Sequence, residues 1–416
     1  MPLNPDLTVL HACLRFYLQT ATAGEVTRLL MPDLDWENLV QTAISQGVMP
    51  LLYQSLKALE PELVPKSVLV QLQHLNRMNG LHNFVLTKEL IQMLAQLSKA
   101  GIEAIAFKGS VLAVSVYGNV ALRQFNDLDI LVRQRDFWQA KDVLIANGYR
   151  PNFTDAQEQD VFNRYLQTSL SHSNSESTMF GRQFQPSLLH SNSEYSIDLH
   201  WGIPPRQVWQ IDRFELLWEN LQQIDLLGQP IKIFSPEATL VVQCMNVAKE
   251  PWKRSLKQVC DAAQIIQVAP IDWDLALVLS AELRCQRLFL MGLQIVHHLL
   301  HVPLPQSILD RLANIQSTDD ERMFEGDSLP SPLWWWEYTD RLKTLDRWQD
   351  GLFITAHYLL MELKSLSRSI LLPTERDREF LSLPTGLFFL YYLIRPFRLI
   401  IKFSSLGKLF TIKHQL

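Results

Sequence analysis

Cysteine is scarce: four in 416 residues, at positions 13, 244, 260 and 285. They show no paired spacing of the kind that holds zinc. Their scatter gives no disulfide framework, so a reducing compartment is expected. A surplus of positive charge is also missing. The formal net charge is −5 and the isoelectric point about 6.1, which gives no overall attraction to nucleic acid and disfavours a nucleic-acid polymerase or a tRNA-modifying enzyme. The first residues lack a basic start followed by an apolar core, so no signal peptide is expected and the cytoplasm is the expected compartment. His297, His298 and His301 lack a Glu after the first His, which excludes the zinc-protease pattern and leaves a structural role. Asp and Glu are absent altogether from Phe380 to Leu416, where Arg395, Arg398, Lys402, Lys408 and Lys413 stand. The apolar run Leu387 to Ile394 in that stretch falls short of the roughly 20 residues that span a bilayer. A basic aromatic segment of this kind either docks on the rest of its own protein, the favoured reading, or lies on an anionic membrane surface as a peripheral contact.

What the chain does have is apolar mass. Apolar residues make up 47% and charged residues 19%, a balance that suits a globular protein with a large core, long enough for two or three domains. Residues 1–100 read as helices. Asp35-Trp36-Glu37 opens one with Leu39, Val40, Ala43 and Ile44 as its stripe, and Leu86, Leu90, Leu94 and Leu97 recur at helical spacing on another. Gly101 falls where a left-handed helix cap belongs. Residues 101–230 read as a core and 231–416 as a second helical region, in which Ser235-Pro236 marks a helix start.

The core centres on Ala104 to Val132, which reads as strand, turn, helix, loop and strand. Ile105 to Phe107 is the first strand; Lys108-Gly109-Ser110 breaks it; Val111 to Tyr117 is helical; Leu128 to Val132 is the second strand. Asp127 and Asp129 lie two apart in that second strand and share a face. Neighbouring carboxylates raise one another's pKa, and burial raises both. A hard divalent cation such as Mg²⁺ would remove that cost. On the same reasoning Asp129→Asn is expected to hold or raise the stability of the metal-free fold. Further on, Ile197 and Leu199 alternate with Asp198 and His200, so Asp198 sits on a strand face that can join the cluster. The stretch between, residues 154–193, is polar and turn-rich. It carries His172-Ser-Asn-Ser-Glu176, repeated as His190-Ser-Asn-Ser-Glu194; the first copy reads as a loop, and the second as a turn pairing Phe184–Leu189 with the Asp198 strand.

Lys108-Gly109-Ser110, a helix, Tyr117-Gly118, Arg123 before Asp127-Leu-Asp129-Ile-Leu-Val132, then Ile197-Asp-Leu-His-Trp201: this order resembles the polymerase-β-like nucleotidyltransferase superfamily, and more narrowly an uncharacterised bacterial nucleotidyltransferase family. Gln46 to Tyr53, Trp252 to Asp261 and Ile394 to Arg398 extend the likeness over most of the chain. The superfamily usually sets its Gly-Ser closer to the aspartates; here residues 111–126 intervene. The resemblance implies an α+β fold, a small mixed sheet flanked by N-terminal and C-terminal helical regions and mostly helical overall. It implies an NTP substrate, two Mg²⁺ ions on Asp127, Asp129 and Asp198, and an acceptor that is a small molecule or a protein. Lys108, Gly109, Ser110 and Arg123 would meet the nucleotide. Lys253 and Lys257, spaced by four with Asp261, make either a solvated stripe with a Lys–Asp pair or a cationic face over the triphosphate. The competing class is a non-catalytic nucleotide-binding or scaffold protein; the presence of all three aspartates argues for activity.

Overall fold

Leucine spacing and polar caps shape the first third of the chain as its sequence leads one to expect. In the computed structural model, residues 5–30, 34–59, 62–151, 167–172, 195–203, 211–249 and 256–316 are described, all within residues 1–346, the first of two units into which the chain divides. Helices α1 (Pro5–Tyr17), α2 (Ala23–Thr27), α3 (Trp36–Ser45), α4 (Met49–Lys57) and α5 (Lys66–Lys99) come first. The Asp35 carboxylate accepts the Asn38 N–H at 3.0 Å and caps α3, which buries Leu39, Val40 and Ala43. The long α5 buries Leu86, Leu90, Leu94 and Leu97. It ends where Gly101 turns left-handed, at φ +76°, and the Ile102 N–H returns to the Leu97 carbonyl at 3.0 Å.

A five-stranded mixed sheet follows, in the order β1-β2-β5-β4-β3. Its strands are β1 (Ala104–Ala106), β2 (Asp127–Val132), β3 (Arg150–Pro151), β4 (Gln167–His172) and β5 (Tyr195–His200). Helix α6 (Ser110–Ser115) lies between β1 and β2, and α7 (Phe137–Ala146) follows β2. β2 and β5 run parallel, while β1 pairs with β2, and β4 with β5 and β3, antiparallel. Ile105, Leu128, Ile130, Leu131, Val132, Ile197 and Leu199 are all buried, so the central strands are covered on both faces and read as near-continuous apolar runs. A hairpin of β6 (Gln222–Leu226) and β7 (Gln229–Ile233) packs beside β1.

The second helical region comprises α8 (Pro236–Lys249), α9 (Leu256–Val268), α10 (Trp273–Glu282), α11 (Gln286–Leu300) and α12 (Gln306–Gln316). Ser235 Oγ accepts the Ala238 N–H at 3.2 Å at the start of α8. These helices close on the N-terminal ones: Thr20 Oγ1 donates to the Leu300 carbonyl at 2.6 Å and Gln267 Nε2 to the Leu18 carbonyl at 2.5 Å. His297 uses Nδ1 on the Val302 carbonyl at 2.8 Å, the structural role its sequence suggested. The fold is thus α+β, a small mixed sheet between helical regions. Among the described residues no helix is long and apolar enough to cross a membrane.

The partners of β5 are these. β5 has β2 on one edge and β4, residues 167–172, on the other. Both edges of β5 are thus occupied by described strands; Phe184–Leu189 lies outside the described residues. Ser171 and His172, where the first polar repeat begins, are sheet residues rather than loop. Residues 173–194, Trp334 to Trp336 and the basic 380–416 segment lie outside the described residues.

Gly292 sets the spacing of α11 on α8: a Cβ placed there would fall on the Cys244 carbonyl of α8. Backbone cannot yield as a side-chain tip can, so Gly292→Ala is expected to destabilise the fold by about 1–3 kcal/mol. Urea unfolding would show this as a lower midpoint at an unchanged slope.

Candidate active site

The sheet register brings the acidic residues together. In the parallel pair β2–β5, Asp129 lies opposite Asp198, Asp127 opposite Ser196, and Leu131 opposite His200. Side chains two apart in a strand share a face, so Asp127, Asp129, Asp198 and His200 project from one side of the sheet. Asp129 is buried, Asp127 and Asp198 partly exposed, and His200 buried. His200 Nε2 lies 3.0 Å from Asp129 Oδ1, and Lys108 Nζ lies 3.2 Å from the same oxygen. Asp129, Asp198 and His200 each offer a ligand atom, all within 4.8 Å of one another. The expected group was Asp127, Asp129 and Asp198; His200 stands in this tightest group and Asp127 outside it. Asp127 is two residues nearer the start of β2, about 6.6 Å along the strand.

Asp129 does not behave as an isolated buried acid. Burial pushes its carboxyl up, but the Lys108 ammonium, the hydrogen bond from His200 and the His200 charge more than offset that, and the group is held well below the usual carboxylate range. Burial likewise pushes the Lys108 ammonium down, and Asp129, Asp127 and Asp198 together raise it above its ordinary value. This reverses the sign expected for Asp129→Asn. The carboxylate is a partner of Lys108 and His200 more than a rival of its acidic neighbours.

Two carboxylates and an imidazole at this separation fit a divalent cation, whose ligands at about 2.0–2.2 Å stand roughly 3–4 Å apart. Hard oxygens suit Mg²⁺; the imidazole could ligate a transition metal only by giving up its Nε2 hydrogen bond to Asp129. An ionised carboxylate only accepts, so His200 Nε2 donates to Asp129. Its Nδ1 is buried with no hydrogen bond among the described residues.

The turn after β1 shapes the floor. Gly109 adopts φ +57°, ψ −122°, a conformation that strongly favours glycine, and an added Cβ would stand 3.4 Å from the Asp127 carbonyl. Phe107 carries Lys108 Nζ 5.1 Å from its ring centroid and packs its ring edge-on to His200, centroids 5.2 Å apart. Ser110 is in a different place from the one its motif suggested. It is fully buried, with its Oγ 2.9 Å from Thr87 Oγ1, and that Thr87 oxygen is 2.6 Å from the Asn83 carbonyl. Thr87 has one proton and the carbonyl can only accept it, so Ser110 donates to Thr87. Its hydroxyl therefore joins α6 to α5 and is not turned to a nucleotide.

Arg123 is also committed elsewhere. It grips Asp261 of α9 through Nε at 3.0 and 3.1 Å and Nη2 at 2.9 Å, with both residues buried. Tyr117 donates its hydroxyl to Asp261 Oδ1 at 2.9 Å. The Asn79 and Asn83 amides on α5 donate to the Arg123 carbonyl at 3.2 and 2.7 Å. The i,i+4 pair of Lys257 with Asp261 is thereby replaced: the acid is taken by Arg123, whose planar fork matches a carboxylate better than an ammonium does. Lys257 is half-buried, and among the described residues its ammonium makes no ion pair. Burial pushes it down and the Arg123 charge adds to that, while Asp127 and Asp261 hold it up. Lys253 lies outside the described residues. The sequence held one readable sign of the α5 contribution: Asn79, Asn83 and Thr87 form a polar stripe at spacing four in an otherwise apolar helix face.

A family model described as uncharacterised nucleotidyltransferase matches residues 32–301. No curated protein matches the chain. Among solved structures, an antigenic nucleotidyltransferase-like protein from Paracoccidioides brasiliensis is 13% identical, covering 54% of this chain and 94% of its own, with a TM-score of 0.34. The antibiotic-resistance factor ANT(2'')-Ia is 13% identical, covering 55% of this chain and 94% of its own, with a TM-score of 0.24.

Two stability measurements check this geometry. Asp129→Asn is expected to lose about 1–3 kcal/mol at neutral pH, because a buried partner of Lys108 and His200 is removed. Since the folded carboxyl is held below its unfolded value, that contribution is complete above the ordinary carboxylate range and is lost as pH falls through the folded value; the variant and the natural protein should converge in strong acid. Asp261→Ala is expected to cost about 3–5 kcal/mol, since it leaves the Arg123 charge buried alone.

Proposed function

The chain belongs to the uncharacterised nucleotidyltransferase family, and from that premise we propose that it moves a nucleoside monophosphate from an NTP to an acceptor hydroxyl and releases pyrophosphate. The observation that carries the reading is the register of β2 on β5, which sets Asp129 opposite Asp198 with His200 and Lys108 converging on Asp129. Asp129 and Asp198, with Asp127 beside them, would hold Mg²⁺, two ions in the full assembly. Bound there, the metal supplies charge compensation at the phosphates and a lowered pKa at the acceptor hydroxyl.

The residues of the chain do the rest. The acceptor oxygen attacks the α-phosphorus; the bond from that phosphorus to the bridging oxygen of the β-phosphate breaks; pyrophosphate leaves with the bonding electrons. Asp198, the more exposed of the facing pair, takes the acceptor's proton. Asp129 is fixed in its ionised form by Lys108 and His200, and so presents the same carboxylate before and during transfer. Lys108, one residue before the Gly109 turn, and Lys257 of α9 would compensate the triphosphate, with Lys253 as a third candidate. The backbone of Gly109 can approach phosphate without a side chain in the way. The acceptor is a small molecule or a protein in the cytoplasm, and a peripheral membrane contact would fall to the basic 380–416 segment.

A second reading has its own observation. Asp129 is already satisfied by Lys108 and His200, an arrangement a non-catalytic nucleotide-binding protein could keep. Incubating the purified protein with Mg²⁺ and each labelled NTP in cell extract, then weighing what gains a nucleotide, separates the two. Transfer is expected from the natural protein and none from Asp129→Asn or Asp198→Asn. Binding of an NTP without any acceptor gaining mass would favour the non-catalytic reading.

A further inference from the structure

The first turn of α9 carries Lys257, and it is held from the far end of the chain. The Leu256 N–H donates to Gln46 Oε1 at 3.1 Å, and the Lys257 N–H donates to the Gln46 carbonyl at 3.1 Å. These are two of the four N–H groups that a helix start leaves without an internal partner, so one residue caps α9 with both its side chain and its backbone. The next residue, Gly47, turns left-handed at φ +72°. A Cβ built on it would stand 3.1 Å from Lys257 Cβ and 3.2 Å from Lys257 Cδ. The lysine stem therefore lies directly on the glycine backbone. Two residues on, the Met49 N–H donates to Gln124 Oε1 at 2.9 Å, which ties the same turn to the loop between Arg123 and Asp127. On its other side, α9 is fixed by the bidentate Arg123–Asp261 pair.

From this arrangement we infer that Gln46-Gly47 is a positioning element for the nucleotide site: the bare backbone of Gly47 lets the Lys257 stem lie flat, and the Gln46 cap fixes the turn from which its ammonium projects. The inference rests on the reading of Lys257 as a triphosphate contact and deepens it. It brings the N-terminal helices, otherwise only packing, into the nucleotide site. A side chain at position 47 would displace Lys257 by a few tenths of an ångström at its root, and the shift grows along a four-carbon stem. Binding of the triphosphate should weaken, because a charge-assisted hydrogen bond depends on that distance.

Gly47→Ala also strains a left-handed backbone, and that effect has to be separated from the displacement of Lys257. Gly101 provides the control. It is left-handed to the same degree, at φ +76°, and an added Cβ there meets nothing within 4 Å. The full chain and its Gly47→Ala, Gly101→Ala, Lys257→Ala and Gly47→Ala/Lys257→Ala variants are titrated with the tightest-binding of the four Mg²⁺–NTPs, alongside thermal melts. Both glycine variants should melt lower than the natural protein. Gly101→Ala should bind NTP as the natural protein does, while Lys257→Ala should bind about tenfold more weakly, the lower end for a lost hydrogen bond to a charged group. Gly47→Ala should lose several-fold, and the double variant should bind no worse than Lys257→Ala alone, since there is then no ammonium left to misplace. Gly47→Ala binding normally, or weakening binding equally with and without Lys257, would overturn the positioning role. Normal binding by Lys257→Ala would overturn the reading of Lys257 itself, and the inference with it.

Discussion

The parallel pairing of β2 with β5 is the constraint from which the site follows. It sets two carboxylates opposite one another, one of them buried, inside a sheet whose other central residues are Leu, Ile and Val. Unaided, that placement would be unfavourable, because burial and like charge both penalise the ionised form. The fold meets the cost locally. Lys108, just beyond β1, and His200, two residues past Asp198, both reach the same Asp129 oxygen. Phe107 supports both groups from beneath. Strand geometry and charge compensation are thus linked: β5, which presents Asp198, also presents His200, and with Lys108 from the turn after β1 it holds Asp129 ionised.

Around this sheet the two helical regions are not simple flanks. Besides the packing of α5 on the sheet, polar ties from the core and from the N-terminal region reach α9. Asp261 on that helix takes Arg123 from the loop before β2, and Gln46 caps its first turn from the N-terminal region. Tyr117 and the α5 amides complete the same buried polar set. Removing one member strands the others in a low-dielectric interior, which makes it a sensitive register between the three parts. Lys257 emerges from its centre. The position of a cation that would meet phosphate therefore depends on residues from all three parts of the chain.

Much of this was legible in the sequence, for identifiable reasons. Strand alternation is short-range, so the shared face of Asp127 and Asp129, and that of Asp198 and His200, could be read directly. Helical leucine spacing, the Asp35 cap, the Ser235 start and the Gly101 turn are equally local. The partners across long separations were not legible. Arg123 and Asp261 stand 138 residues apart, and the residue spacing alone favoured the nearer Lys257 for that acid. The edge of β5 went to residues 167–172 because pairing is settled by the whole sheet and not by a turn signal. The burial of Ser110 came from α5, where the Asn79, Asn83 and Thr87 stripe was the overlooked sign. The environment of Asp129 is not legible because its like-charged neighbour is close in sequence while Lys108 and His200 are not.

The central claim is that chemistry occurs at the α-phosphorus of an NTP. It is tested most directly by supplying the purified protein and its acceptor fraction with an NTP labelled either at the α- or at the γ-phosphorus, in Mg²⁺, and following where each label goes. Nucleotidyl transfer requires the α-label to appear on the acceptor and the γ-label to leave as pyrophosphate, with both signals lost in Asp198→Asn. The γ-label appearing on the acceptor, or both labels staying in unreacted NTP, would contradict it.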